Sequence, residues 1–381
     1  MAGNPLIRRV ALGLLLGVLL GSCGSRAPIK VGFAGELTGK QSDLGGRGRD
    51  GVQLAVETVN ARGGIAGQQI ELLVRDDLGM PEGARAADEE LIRANVVAII
   101  GHMNSSQTVA GWPVAEAAGM ILLSPVATSP ELSGFADHFF RIVPTHLSQA
   151  QIFGQHVYQN RGLGRLAIIH DTNNAAYSES YWRAFAEIYQ HHGGVVTLEL
   201  PFSSTAQPDF AALVAQLKAS GAQGLLIVTS ALDAALIAQQ TRLQSWNVPL
   251  FSSAWAQTET LLQNGGQAVE GMEFTIAFDV NSANPAFVDF KQRYTQRFGR
   301  TPTFADGEAY EAALVLFAAL EKTAGRSAGL AEALRQTRDF PGLVSTISLD
   351  QYGDAVRPLF LVTIKDGAFA TLPTVLKPEA N

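Results

Sequence analysis

The strongest constraint in this chain is a repeating alternation of short apolar runs with helical periods. Ile29, Val31 and Phe33 alternate with Lys30 and Gly32, a strand pattern, and Val52, Ala55, Val56 and Val59 then recur at the spacing of one helix face. Gly63-Gly64 stops that helix as glycine does at a C-cap. A strand over 70–74 follows, then a helix opened by Pro81 and running to about Ala94. Residues 96–100 form a continuous apolar run, as strands buried on both faces do. A helix over 106–118 and strands over 120–123 and 139–142 complete a first series. The period then restarts. Strands over 165–170, 195–200, 224–229 and 249–252 alternate with helices over 179–191, 209–219 and 231–243. A strand over 271–276, helices over 285–298 and 304–322, and strands over 343–349 and 359–364 end the chain. This order predicts an α/β fold of parallel sheets with helices on both faces. The restart, with its seam near Pro144–Ser148, predicts two doubly wound lobes.

The chain's 381 residues suffice for two such units, at roughly 100–200 residues per domain. Apolar residues make up 47% and charged residues 17%, which excludes a disordered chain or a coiled coil. A net charge of −7 leaves no surplus of Lys and Arg to neutralise phosphates, so nucleic acid is not an expected partner. A single cysteine excludes an intrachain disulfide and a cysteine-based zinc site, and no metal or other cofactor is expected. Beyond the first 22 residues no apolar run approaches the ~18 residues of a membrane span.

The N-terminus reads as an address. Arg8 and Arg9 form a basic region, and Val10 to Leu20 is an apolar stretch too short to span a bilayer but suited to a signal peptide. It ends in Leu20-Gly21-Ser22-Cys23, which resembles the bacterial lipobox, and the only cysteine in the chain falls at the lipidated position. Residues 1–22 are therefore expected to be a lipoprotein signal peptide, and acyl chains on Cys23 to tether the protein on the periplasmic side of a bacterial membrane. An ordinary signal peptide with a chance cysteine is the alternative.

Specific motifs then occur in order: Ile29-Lys-Val-Gly-Phe33, Leu37-Thr38-Gly39, Gly51 through Asn60, Gly63 through Gln68, Asp76-Asp77, Ile99-Ile100-Gly101, Ser105-Ser106 and Leu123 through Pro130. With the weaker Arg141 through Pro144, Ile168 through Asp171 and Tyr310, this series is similar to the leucine/isoleucine/valine-binding protein family. These are type I periplasmic substrate-binding proteins that serve ABC importers. The resemblance covers about 29–370 and implies two Rossmann-like lobes joined by three crossing segments. Residues 29–145 with 277–350 would form lobe 1, and residues 146–276 with 351–381 lobe 2. It also implies a binding protein and not an enzyme: one that captures a small carboxylate or amino-acid-like ligand between its lobes and delivers it to an ABC permease complex. A sensor of the same fold docking on a signalling protein is the alternative. An enzyme using NAD or a hydrolytic site is a remote one.

Two segments carry the expected binding chemistry. Ser105-Ser106 opens a helix after a parallel strand, where free N–H groups and the positive helix end favour an anion. Val126-Ala127-Thr128, after the next strand, offers main-chain groups and a hydroxyl to the same crevice. The resemblance gives Ser105, Ala127 and Thr128 the ligand carboxylate. It also puts Tyr177 and Trp255 on the second-lobe side of the pocket, and His146 where amino-acid binders of the family place an acid. Phe251 through Ala256 has no acid either. The expectation is therefore a carboxylate without an α-ammonium, unless Asp171 or Asp233 supplies the missing acid. Met103 and Trp112 read as pocket wall or as core.

Two weaker signals are discounted. Gly46-Arg-Gly-Arg-Asp-Gly51 fits G-x-G-x-x-G but does not directly follow its strand, as a dinucleotide site requires, so it reads as a loop entering the 51–60 helix. His191-His192 are adjacent and cannot share a helix face as paired metal ligands do.

Overall fold

A computed structural model describes residues 26–376, so the signal segment and Cys23 lie outside the described residues. The first sheet contains β1 (Ile29–Gly35), β2 (Ile70–Asp76), β3 (Ile99–Ile100), β4 (Leu122–Ser124) and β5 (Phe139–Arg141), all parallel, in the order β2-β1-β3-β4-β5. The second contains β6 (Arg165–Asp171), β7 (Val195–Phe202), β8 (Gly224–Val228), β9 (Leu250–Ser252) and β10 (Glu273–Ile276), also parallel, in the order β7-β6-β8-β9-β10. Both halves thus share one doubly wound order, with its reversal beside the first strand of each series. Helices on both faces explain why neighbouring residues of a strand are buried alike: Leu225, Leu226, Ile227 and Val228 are all inaccessible to solvent.

The chain's end departs from the all-parallel expectation. β11 (Phe340–Pro341) and β12 (Thr346–Ile347) form a separate two-stranded ribbon, so the strand expected over 343–349 shrinks to two residues and joins neither main sheet. β13 (Leu359–Lys365) and β14 (Ala368–Leu376) add to the edge of the second sheet antiparallel. The cause is local. Asp366 and Gly367, at φ 53° and 73°, make a two-residue turn with both central residues in the left-handed region, the geometry Asp-Gly favours in a hairpin.

The helix expected over 51–60 begins earlier, at Ser42, and runs to Asn60. The G-x-G-x-x-G stretch is therefore helical and not a loop. Two of its glycines serve close packing: a Cβ on Gly51 would lie 2.2 Å from the Asp306 carbonyl oxygen, and one on Gly48 would lie 2.5 Å from Met103 Sδ. Gly51 thus lets helix Ser42–Asn60 sit directly on helix Phe304–Lys322, which is buried over most of its surface.

The chain passes from the first sheet to the second after β5, where helix His146–Gln159 packs on the second sheet through Phe153 against Phe185 and Phe251. It returns after β10, since helices Pro285–Phe298 and Phe304–Lys322 pack on helix Ser42–Asn60. It crosses again between β12 and β13. Among the described residues no helix is long and apolar enough to cross a membrane.

Candidate functional site

The strand order places the site. The reversal between β1 and β3 opens a crevice outside the carboxyl ends of the first sheet, where open α/β sheets bind ligands. The loop after β3 delivers Met103, Asn104 and Ser105, and the loop after β4 delivers Val126 and Thr128. The second sheet faces them with Asn174 and Tyr177 after β6, Ala254 and Trp255 after β9, and Ile276 and Ala277 at the end of β10. Gln149, Phe304 and Glu308 complete much of the wall. Together they enclose a cavity of about 50 Å³.

Polar contacts close the cavity's rim across the two halves. Gln41 Oε1 accepts from Asn104 Nδ2 at 3.0 Å and from Trp255 Nε1 at 3.2 Å. The Ser106 N–H donates to Asn174 Oδ1 at 3.0 Å, and Ser106 Oγ accepts from the Ala176 N–H at 3.2 Å. Asp43 Oδ2 accepts from Thr258 and Thr260 at 2.8 and 2.7 Å, Lys40 donates to the Ser204 carbonyl at 2.7 Å, and Arg47 pairs with Glu259 at 2.8 Å. The structure is thus closed, with the two halves joined by direct polar contacts.

These positions sort the expected site residues. Ser105, Val126, Thr128, Tyr177 and Trp255 line the cavity, and so does Met103. Ser106 does not: its N–H, expected to meet a ligand anion, is spent on Asn174. Ala127 does not either, because its N–H donates to Ser124 Oγ at 3.0 Å and so shapes the loop. His146 stands behind Thr128, with Nδ1 3.2 Å from Thr128 Oγ1 and Nε2 2.8 Å from Ser180 Oγ. Burial, with help from the Arg141 charge, pushes its imidazole down to about 3, so it is neutral and holds Thr128 from outside the cavity wall. Trp112 is off the cavity, packed on Phe135. Asp171 and Asp233 also lie outside the wall: Asp171 accepts from the N–H groups of Asn173 and Ser204, and Asp233 pairs with Lys40.

Sequence reasoning missed Glu308, the one charged residue in the wall among the described residues. It lies on helix Phe304–Lys322, whose inward stripe also carries Phe304 and Glu311. Burial pushes its carboxyl well above the usual range; the Arg357 charge opposes that and the Glu311 charge adds to it. Acids at the spacing of one face with Phe304, among the apolar residues of this helix, were the available signal. Asn104 Oδ1 is buried with no partner in the protein, so a further unpaired acceptor accompanies Glu308 at the wall. Burial also raises the Tyr177 phenol above its ordinary range, keeping it a neutral donor.

Two doubly wound sheets presenting their carboxyl-end loops to one shared cavity define a two-lobed receptor for a small molecule. The family model for periplasmic binding proteins matches residues 28–368. A Leu/Ile/Val-binding protein homolog from Brucella melitensis is 26% identical over 337 residues, covering 88% of this chain and 90% of that one. The leucine binding protein LivK of Thermotoga maritima superposes with a TM-score of 0.86 at 26% identity, over 92% of this chain and 99% of its own. LivJ of Streptococcus pneumoniae, a branched-chain amino acid transporter substrate binding protein in complex with isoleucine, does so at 0.85 and 25%, over 92% and 100%. The chain belongs to the periplasmic binding protein family.

Proposed function

We propose that this protein captures a small carboxylate-bearing solute, an amino acid or a close analogue, between its lobes and hands it to an ABC importer. The observation that carries this reading is the cavity itself. One wall offers Ser105 at a helix N-terminus and Thr128 beside it, which suit an anionic group. The opposite wall offers Trp255 and Tyr177, which suit an apolar body. The leucine-binding and isoleucine-bound relatives support a ligand of that size and chemistry.

The cavity is walled by both halves and its rim is bridged by hydrogen bonds between them, so the lobes must part to load a ligand. The moving units are residues 29–145 with 277–357 and residues 146–276 with 358–376, flexing at the three crossings, because Asp354 and Arg357 are paired with Arg141 and Glu311 of the first half. A ligand touching both lobes stabilises the closed state by its differential affinity. Thermal-shift screening of amino acids, 2-oxo acids and aromatic acids should give a hit, since a hundredfold excess over Kd adds about 2.7 kcal/mol. Small-angle scattering should then show a smaller radius of gyration at saturation. No hit among carboxylates, or an unchanged radius with a tight ligand, would refute the reading.

Tethering on the periplasmic side through Cys23 belongs to the same proposal. Cys23→Ala should leave the melting temperature unchanged and move the protein to the soluble fraction once its signal is cleaved. Membrane-bound, signal-cleaved C23A would refute the lipid anchor.

A further inference from the structure

The charges around the ligand cavity do not balance. Glu308 is 3% exposed and its carboxyl has no hydrogen bond within the protein. One turn on, Glu311 is held by Arg357, with Nη1 2.6 Å from Oε2 and Nη2 3.2 Å from Oε1. The Leu343 N–H also donates to Glu311, and Ser345 Oγ takes the Arg357 Nε–H at 3.3 Å. This fork-on-fork pair matches the guanidinium to Glu311. Two buried acids therefore share one buried base, and Glu308 is left over. An unpaired buried carboxylate is costly, so in the empty protein Glu308 carries a proton.

A second acceptor is oriented by a separate network. The Trp255 indole N–H can only donate, so the Gln41 atom it meets must be oxygen. The Asn104 atom meeting that same oxygen must then be its NH₂ group. This leaves Asn104 Oδ1 facing away, buried and without a partner. Asn104 and Glu308 line the same small cavity, and both hold acceptors that nothing in the protein satisfies.

We infer that Glu308 and Asn104 Oδ1, both on the first lobe, seat a cationic ammonium group of the ligand, and that Glu308 releases its proton to solvent as that group binds. This rests on the cavity being the ligand site and narrows the ligand to an aminocarboxylate, its carboxylate at Ser105 and Thr128. The acid missing at position 146 and around Trp255 is thus supplied from a helix of the other lobe. Binding exchanges one carboxyl proton for one ammonium charge, so affinity rises with pH, up to tenfold per unit, for as long as free Glu308 is protonated. The other ionisable groups facing the site do not compete: Glu311 and Arg357 hold each other, Tyr177 stays a phenol, and His146 stays neutral.

Calorimetry with the common amino acids and their 2-oxo-acid counterparts, on wild type and Glu308→Gln from pH 5.5 to 8, tests this. The expected result is an amino acid that binds wild type with pH-dependent affinity and proton release, and that E308Q binds about a hundredfold more weakly with a flat pH profile. A 2-oxo acid should bind E308Q at least as well as wild type. Ligand-free E308Q should melt at or above wild type, since a buried unpaired acid is removed. Undiminished amino-acid binding by E308Q, or wild-type binding of 2-oxo acids alone, overturns the inference and leaves the carboxylate reading standing. Binding of neither class overturns both.

Discussion

His102→Gln should lower stability by about 3–5 kcal/mol, the usual cost of removing one member of a buried ionic cluster. Its melting temperature should fall on the order of 10 °C. His102 is wholly buried, with Nδ1 2.7 Å from Asp77 Oδ2 and Nε2 3.3 Å from Asp88 Oδ2. Burial alone would lower its pKa, but the Asp88 charge and the hydrogen bonds its ring N–H groups donate to both carboxylates outweigh it and raise the imidazole to about 10. It is a trapped cation joining the end of β2 to helix Pro81–Arg93 and to the loop that carries Met103, Asn104 and Ser105. A raised folded-state pKa stabilises fully below the unfolded value of 6.5 and less as pH rises through about 10. The wild-type and H102Q melting curves should therefore converge over that interval. A gap that stays constant with pH would show that His102 acts by packing and not by charge. Ligand affinity should fall as well, because the loop loses its anchor.

Arg141→Lys should be nearly as damaging, at about 3 kcal/mol or more. The buried guanidinium donates through Nε to Asp354 at 2.7 Å and through Nη1 to the carbonyls of Ser129 at 2.8 Å and Ala127 at 3.3 Å. Nη2 reaches Ser133 Oγ. An ammonium has no planar fork and cannot span these partners, so the conservative charge is not a conservative geometry. The released segment is the one that presents Val126 and Thr128 to the cavity. Asp354, between β12 and β13, would lose its partner too. Urea unfolding should show the lost stability, and calorimetry a weakened ligand. Wild-type values for both would refute the role given to Arg141.

The two anchors are legible in the sequence only in part. Asp77 and Arg141 stand in recognisable motifs, yet neither motif names its partners. The same holds at the cavity. Ser105, Val126, Thr128, Tyr177 and Trp255 were legible because each follows a strand end, and strand ends in a doubly wound fold converge on one crevice. His146 stands off the cavity wall: its place after Pro144 is visible in the sequence, but Thr128 and Ser180, which occupy its two nitrogens, are not. Ser106 is off the wall too, and the Asn174 that takes its N–H lies 68 residues away. The final hairpin carries a local turn signal, Lys365-Asp366-Gly367-Ala368.

Two series of strands and helices, the seam between them and the loops that meet at the cleft are all written locally in the chain. Apolar periodicity and turn chemistry act over a few residues, so they can be read along the chain. Which polar groups are satisfied emerges only in the packed fold. Arg357 belongs to Glu311, and Glu308 is left unpaired in the cavity wall. Pairing depends on distances of a few ångströms between residues far apart in the chain, and no local pattern encodes those distances.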